Sequence, residues 1–336
     1  MPTLTLSFAS AYNERVEPLM DGSVKPEAIE LIPTYSEPPV TFWRQLRFQD
    51  FDVSEMSLSS YLIAKSQGFD YLALPVFPSR RLFQTELLYN VDSGIKGPED
   101  LAGKRVGVAE YQQTAALWTR GILEHDFGVS QYSIHWYMER TEELSHGGAT
   151  GFKPPEGISF QRIPVEKSMA SMLIAGELDV AAVARSFNRS ANVIERSNRI
   201  RGEGDWSKVQ PLFPDRMAEG ARFYQKHGWL PANHTYIVRG ELLRKHPWVA
   251  MNLYLAFIEA KEDWNRRVVE RIPSALFFGS EYLANTKKLL GPDPFAFGYK
   301  ANEGMLQTLM DFSHEQGLTK EKLQPQDLFA ESTLAL

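Results

Sequence analysis

Apolar and polar positions along the chain fall into short runs of strand length separated by stretches with helical spacing. Residues 3–8 alternate and predict a first strand, and residues 29–32, 71–77, 85–91, 105–109, 134–138, 178–183 and 235–239 are further apolar runs of strand length. Residues 14–20, 41–48, 115–124, 169–175 and 247–267 predict helices, with Phe42 and Leu46 one turn apart on a shared face. Gly128 and Gly176 close two of them, and Ser168 caps the start of one. Residues 145–157, SHGGATGFKPPEG, hold four Gly and two Pro and read as a mobile loop or lid. Residues 184–208 are polar, rich in Arg and Asn, and fit no template.

The stretch around which the chain is organised is 51–64, FDVSEMSLSSYLIA. Its first half predicts a buried strand, and Ser57 to Ser60 then lead into an apolar helix. A serine cap leaves backbone N–H groups of the first turn pointing outward, which is an anion site as well as an ordinary helix start. A weak internal echo supports two similar lobes: Phe51-Asp52-Val53 follows a helix as Leu178-Asp179-Val180 does. Strands alternating with helices predict parallel or mixed sheets with helices on both faces. Ligands of such sheets sit beyond the strand C-termini, where residues 55–60, 78–81 and 110–114 fall.

A chain of 336 residues exceeds one small core and predicts two domains. Its net charge of −6, without a basic block, argues against a nucleic-acid partner. The absence of cysteine excludes disulfides, thiol nucleophiles and cysteine-held metals. The N-terminal residues lack the basic and apolar regions of a signal peptide, and no apolar run reaches 18 residues, so the expectation is a cytoplasmic protein with no membrane partner. Dinucleotide, P-loop and nucleophile-elbow motifs are missing. His227 and His234, seven apart, make no metal signature; the expectation is no cofactor, with a dispersed divalent-metal site as the alternative.

Residues 98–108, PEDLAGKRVGV, resemble the start of the second lobe in type II periplasmic-binding-protein folds. Taken in order, FDVSEMSLSSYLIA, VFPSRR (76–81), VGVAEYQQTAALWTRGIL (106–123) and HPWVAMNLYLAFIEAK (246–261) resemble the 4,5-dihydroxyphthalate decarboxylase family over residues 4–329. The resemblance implies a two-lobed α/β fold, each lobe a mixed sheet flanked by helices, with a ligand cleft between lobes. It also implies a chain path, with residues 1–90 plus 235–336 as lobe one and 91–234 as lobe two, crossing at 85–91 and 235–239. Two segments depart from the family's pattern: 184–206 is longer and more polar, and the loop 11–15 reads AYNER, where the resemblance implies an acidic residue near Asn13.

The implied reaction is cofactor-independent loss of CO2 from a dihydroxylated aromatic dicarboxylate, 4,5-dihydroxyphthalate to protocatechuate. A hydroxyl para to the carboxylate receives the electrons, so the protein must bind a dianion and move protons. Arg80 and Arg185, each at or near a strand end, are candidates for carboxylate binding. Ser57, Ser59 and Thr114 offer hydroxyls and helix-start N–H groups, and Tyr12, Tyr111 and Gln113 could bind ring hydroxyls. His234 is the candidate proton donor, because imidazole titrates near neutrality. Glu55 and Glu110 follow strands and could act as acid or base if burial raises their pKa; otherwise they cap helices. The partner expected is a small aromatic carboxylate, with a homo-oligomer left open. The competing reading is a cytoplasmic solute-binding or sensor protein for such a carboxylate on the same fold.

Overall fold

Each apolar run of the sequence forms a strand in the computed structural model, which describes residues 3–182 and 195–336. Arg185 lies outside the described residues. The chain begins with β1 (Leu4–Ser10), α1 (Glu17–Met20), β2 (Ile29–Tyr35), α2 (Pro38–Phe48), β3 (Val53–Ser57), α3 (Leu58–Ser66) and β4 (Tyr71–Leu74). It continues with β5 (Leu87–Asn90), β6 (Arg105–Val108), α4 (Thr114–Phe127), β7 (His135–Met138), α5 (His146–Thr150), β8 (Phe160–Arg162), α6 (Met169–Ile174), β9 (Val180–Ala182) and β10 (Val209–Pro211). It ends with α7 (Arg216–His227), β11 (His234–Arg239), α8 (Gly240–Lys245), α9 (Trp248–Ala275), α10 (Gly279–Leu290) and α11 (Glu303–Glu315).

Two compact units result. The first comprises Met1–Arg81, Gly220–Met310 and Leu323–Leu336; the second comprises Leu82–Glu219 and Asp311–Lys322. The first unit's sheet has the order β2-β1-β3-β11-β4, with β11 antiparallel to both β3 and β4. Its core packs Phe8, Val53, Leu74, Tyr236 and Val238 against Val249, Leu253 and Phe257 of α9. The second unit's sheet has the order β10-β5-β9-β6-β7-β8, with β5 antiparallel to both neighbours. Met169 and Leu173 of α6 pack there with Leu88, Leu178, Ala181 and Val209. Both sheets are therefore mixed, and β5 and β11, expected to be crossings, each lie inside the sheet of one unit, the unit boundaries falling at 81–82, 219–220, 310–311 and 322–323.

The echo between Asp52 and Asp179 has a physical counterpart. Asp52, just before β3, accepts the Ser7 backbone N–H (2.9 Å) and hydroxyl (2.7 Å) of the parallel neighbour β1. Asp179, just before β9, accepts the Arg105 backbone N–H (2.8 Å) and guanidinium of the parallel neighbour β6. In each unit a carboxylate ties the start of one strand to the backbone of the next.

Three local features differ from the sequence reading. β8 and β10 carry no apolar run; they are three-residue edge strands, so little of their surface meets the core. β2 runs on through Pro33, which an edge strand tolerates because one row of its N–H groups has no partner strand. The glycine-rich 145–157 stretch is not a plain loop: Ser145 caps the short helix α5, accepting from Gly148 N, and Ser145, His146 and Gly147 are buried.

Residues 82–90 and 311–322, placed with lobe one by the sequence reading, group with the second unit, and 220–234, placed with lobe two, group with the first. Phe312 packs edge-on to Trp118 of α4 (5.7 Å between centroids) and stacks on His125, and Gln316 bonds Arg120 and the Leu117 carbonyl. Gly121 makes room for this, since a Cβ there would overlap the Phe312 ring. Gly121→Ala is therefore expected to destabilise the protein by about 1–3 kcal/mol despite the better helix propensity of alanine. A lowered midpoint of thermal unfolding, with faster proteolysis within 311–322, is the readout.

Candidate active site

Antiparallel pairing of β11 with β3 places Tyr236 opposite Glu55 and His234 opposite Ser57. Side chains two apart on a strand share a face, so Glu55 lies diagonally across from His234. His234 Nδ1 is 2.6 Å from Glu55 Oε1. The other carboxylate oxygen accepts the Ala11 backbone N–H at 2.9 Å, just past the end of β1. With Nδ1 on the carboxylate, Nε2 is the nitrogen presented outward. Nε2 has no hydrogen-bond partner among the described residues. The Phe42 ring of α2 meets the imidazole edge-on at 4.8 Å and restricts its orientation. The carboxylate is 3% exposed and the imidazole 12%, so the inner member of the pair is shielded and the outer one reachable. Beside them the fully buried Tyr236 hydroxyl shares a hydrogen bond with Ser10 Oγ at 2.7 Å. Burial first, and the Glu55 charge second, push that phenol well above its ordinary pKa, so it stays protonated.

Ser57 caps α3, its Oγ accepting from Ser60 N and lying 3.3 Å from Ser59 Oγ. The whole first turn is buried, and Leu58 N donates to the Asn233 carbonyl at 3.2 Å. The N–H groups expected to face outward are thus partly consumed by the fold. Tyr12 is 70% exposed on the loop after β1. Arg80 is buried and points inward: it donates to the carbonyls of Leu230 (2.6 Å) and Ala296 (2.7 Å) and to Asn302 Oδ1. Burial holds its pKa down at about 10. Its backbone bridges to Ala232, two residues before His234, so the arginine belongs to the same neighbourhood while its terminal nitrogens are already engaged.

The second unit treats its candidates differently. Tyr111 is fully buried with its hydroxyl on Gln131 and the Gln316 carbonyl and its ring under the Arg120 guanidinium at 3.7 Å. It is a core residue here, not a presented hydroxyl. Gln113 occupies the N-cap position of α4 without a side-chain cap bond, and Thr114 opens that helix, buried. Glu110 accepts from Arg140 Nη1 (2.6 Å), Ser145 Oγ (2.7 Å), the backbone N–H of His146 and Gly147, and Gln112. Burial alone would raise its pKa, but His146, Arg140 and Ser145 together outweigh it and hold the carboxyl at about 2. The expected acid–base role needs a raised pKa and the Glu110 pKa is lowered instead, which corrects that reading: its donors make Glu110 an anchor. Arg140, which also pairs with Glu195 at 2.7 Å, was missed by sequence reasoning. It stands two residues beyond β7, at the strand-end position that singled out Arg80. Phe42 and Ala11 were missed at His234 because neither carries a chemical group that flags it. Among the described residues, no group of three or more His, Cys, Asp or Glu side chains is gathered to hold a metal ion.

Because the Glu110 pKa is lower folded than unfolded, its stabilising contribution is complete above about pH 4.5 and is lost as pH falls towards about 2. Glu110→Gln is expected to flatten stability against pH in that window. At pH 7 it should cost about 3–5 kcal/mol by leaving Arg140 without its buried partner. Urea unfolding of both proteins between pH 2.5 and 7 measures this.

No family model matches the chain. The 4,5-dihydroxyphthalate decarboxylase of Comamonas testosteroni is 32% identical over 337 residues, covering 99% of this chain and 98% of that protein. The 4,5-dihydroxyphthalate decarboxylase of Pseudomonas putida is 36% identical over 187 residues, 55% of this chain and 72% of its own. Among solved structures, the periplasmic aliphatic sulphonate-binding protein of Escherichia coli superposes with a TM-score of 0.52 at 13% identity, covering 97% of this chain and 91% of that one. The alkanesulfonate-binding protein of Xanthomonas axonopodis, bound to MOPS, gives 0.55 at 11% identity, with 98% and 99% covered. At such identities these two speak for the fold, which is that of the periplasmic binding proteins. By its full-length similarity to the Comamonas enzyme, the chain belongs to the 4,5-dihydroxyphthalate decarboxylase family.

Proposed function

We propose that this chain decarboxylates 4,5-dihydroxyphthalate to protocatechuate and CO2, with His234 as the proton donor and Glu55 as the group that orients it. Full-length similarity to a decarboxylase supports the activity. The 2.6 Å Glu55–His234 pair is the observation that carries the assignment of roles.

The chemistry follows from the substrate. With both ring nitrogens protonated, His234 gives its Nε2 proton to the ring carbon that bears the leaving carboxylate, while the phenol para to it releases its proton to solvent. A dienone forms in which that carbon is tetrahedral. The bond to the carboxylate then breaks, its electron pair returns through the ring to the oxygen, and CO2 departs as aromaticity is restored. The phenolate finally takes up a proton. Glu55 accepts from Nδ1–H, turns Nε2 towards the substrate and offsets the positive charge of the doubly protonated ring. Since the para oxygen accepts the electrons, this route draws on no electron-accepting cofactor.

The purified protein is expected to release CO2 from 4,5-dihydroxyphthalate after exhaustive dialysis against a chelator. In D2O one deuterium should appear at the carbon that lost its carboxylate. Phthalate, lacking the para hydroxyl, should bind without reacting. His234→Gln is expected to lower kcat by about 10²–10⁴-fold with little change in affinity for phthalate. Glu55→Gln should lower kcat in the same sense. An unchanged kcat in His234→Gln would remove the histidine from the mechanism.

A further inference from the structure

Three cations of the first unit gather about residues 293–296: Lys261 on Asp293, Arg15 on the Phe295 ring and Arg80 on the Ala296 carbonyl. Lys261 Nζ is ion-paired with Asp293, and the lysine side chain is 8% exposed against 48% for the aspartate. Asp293 also acts electrostatically on Arg80 and Arg15. Arg80 and Arg15 in turn repel the charge of Lys261. Glu14 is the other acid that bears on Arg15. Three cations thus stand against two carboxylates, and Lys261 and Arg80 are far more deeply buried than Asp293. Burial lowers the pKa of all three. The Nε atoms of both Arg15 and Arg80 are buried without a hydrogen-bond partner. A desolvated excess of positive charge is relieved by an anion supplied from outside.

The three are not equivalent. Arg80 spends its terminal nitrogens on Leu230, Ala296 and Asn302, and Lys261 is held by Asp293. Arg15 is half-buried, its guanidinium lies 3.4 Å from the Phe295 ring centroid, and it makes no side-chain hydrogen bond among the described residues. A guanidinium held against a ring with its hydrogen-bond donors unspent is placed for a two-pronged carboxylate contact. The loop that carries it is tied to the proposed proton donor's neighbourhood. Ala11 N holds Glu55, and Asn13 Nδ2 donates to the Pro78 carbonyl at 3.2 Å, two residues before Arg80.

We propose that Arg15, backed by Arg80 and Lys261, forms the subsite for the carboxylate that the substrate retains, and so sets the preference for an aromatic dicarboxylate over a monocarboxylate. This rests on the decarboxylase reading above for the identity of the substrate. Arg15 makes the contact; Arg80 and Lys261 are positioning residues that keep the local field positive.

Calorimetric titration with two non-reacting probes, phthalate and benzoate, tests this. The wild type should bind phthalate about 10-fold or more tightly than benzoate, the scale expected of one charged contact. Arg15→Gln should erase that preference while leaving benzoate affinity within about twofold, and Arg15→Lys should restore part of it. Circular dichroism checks that the variant is folded; if it is not, Lys261→Gln is read by the same ratio and should diminish it. A preference that survives in folded Arg15→Gln, or that is absent from the wild type, overturns the subsite. Turnover of 4,5-dihydroxyphthalate by the wild type is measured separately. Its absence alongside an Arg15-dependent phthalate preference would sink the decarboxylase reading and leave the subsite standing.

Discussion

A carboxylate taken out of water must be met by donors, and much of this molecule is arranged by that requirement. Asp52 and Asp179 each meet it with a backbone N–H of the adjacent strand, which ties the start of β3 to β1 and of β9 to β6. These are charge-assisted bonds, stronger than ordinary ladder bonds, and they stand where a parallel strand must be held in register. The two units therefore share a device as well as an architecture.

The same requirement separates Glu55 from Glu110. Both follow or lie in apolar strands, and both are nearly inaccessible. Glu110 is surrounded by donors: an arginine, a serine hydroxyl, two backbone N–H groups and a glutamine amide. Such a carboxylate has no reason to take a proton. Glu55 meets one backbone N–H and one imidazole, and the imidazole is itself a titratable group with a second nitrogen left over. The first arrangement fits the assisting role proposed for Glu55; a carboxylate saturated by fixed cations and amides is suited to anchoring. Environment, not residue type, distinguishes the two glutamates.

Arg80 makes a parallel point about cations. Its chain position beyond an apolar strand marks it for a ligand, yet its terminal nitrogens gather carbonyls from residues 150 and 216 positions away. The charge remains even though the terminal nitrogens are engaged, and it still acts on Lys261. A buried guanidinium can thus contribute to anion binding without touching the anion.

The sequence by itself determined the alternation of strands and helices, the cap at Ser57, the stop at Gly128 and the pairing of an aspartate with each central strand, because these depend on residues close in the chain. It also carried the family, since the four stretches from 51 to 261 keep their order. It did not reveal β8 and β10, whose short edge positions bury too little to leave an apolar signature. It misjudged 145–157, because a glycine-rich composition does not show that Glu110 organises Ser145 and the following N–H groups into a helix start. Only the tertiary structure could bring His234 onto Glu55 across 179 residues, engage Tyr111 in the core, or surround Glu110 with donors. Those outcomes depend on strand register and on which groups share a desolvated space, and neither is encoded in the local spacing of residue types.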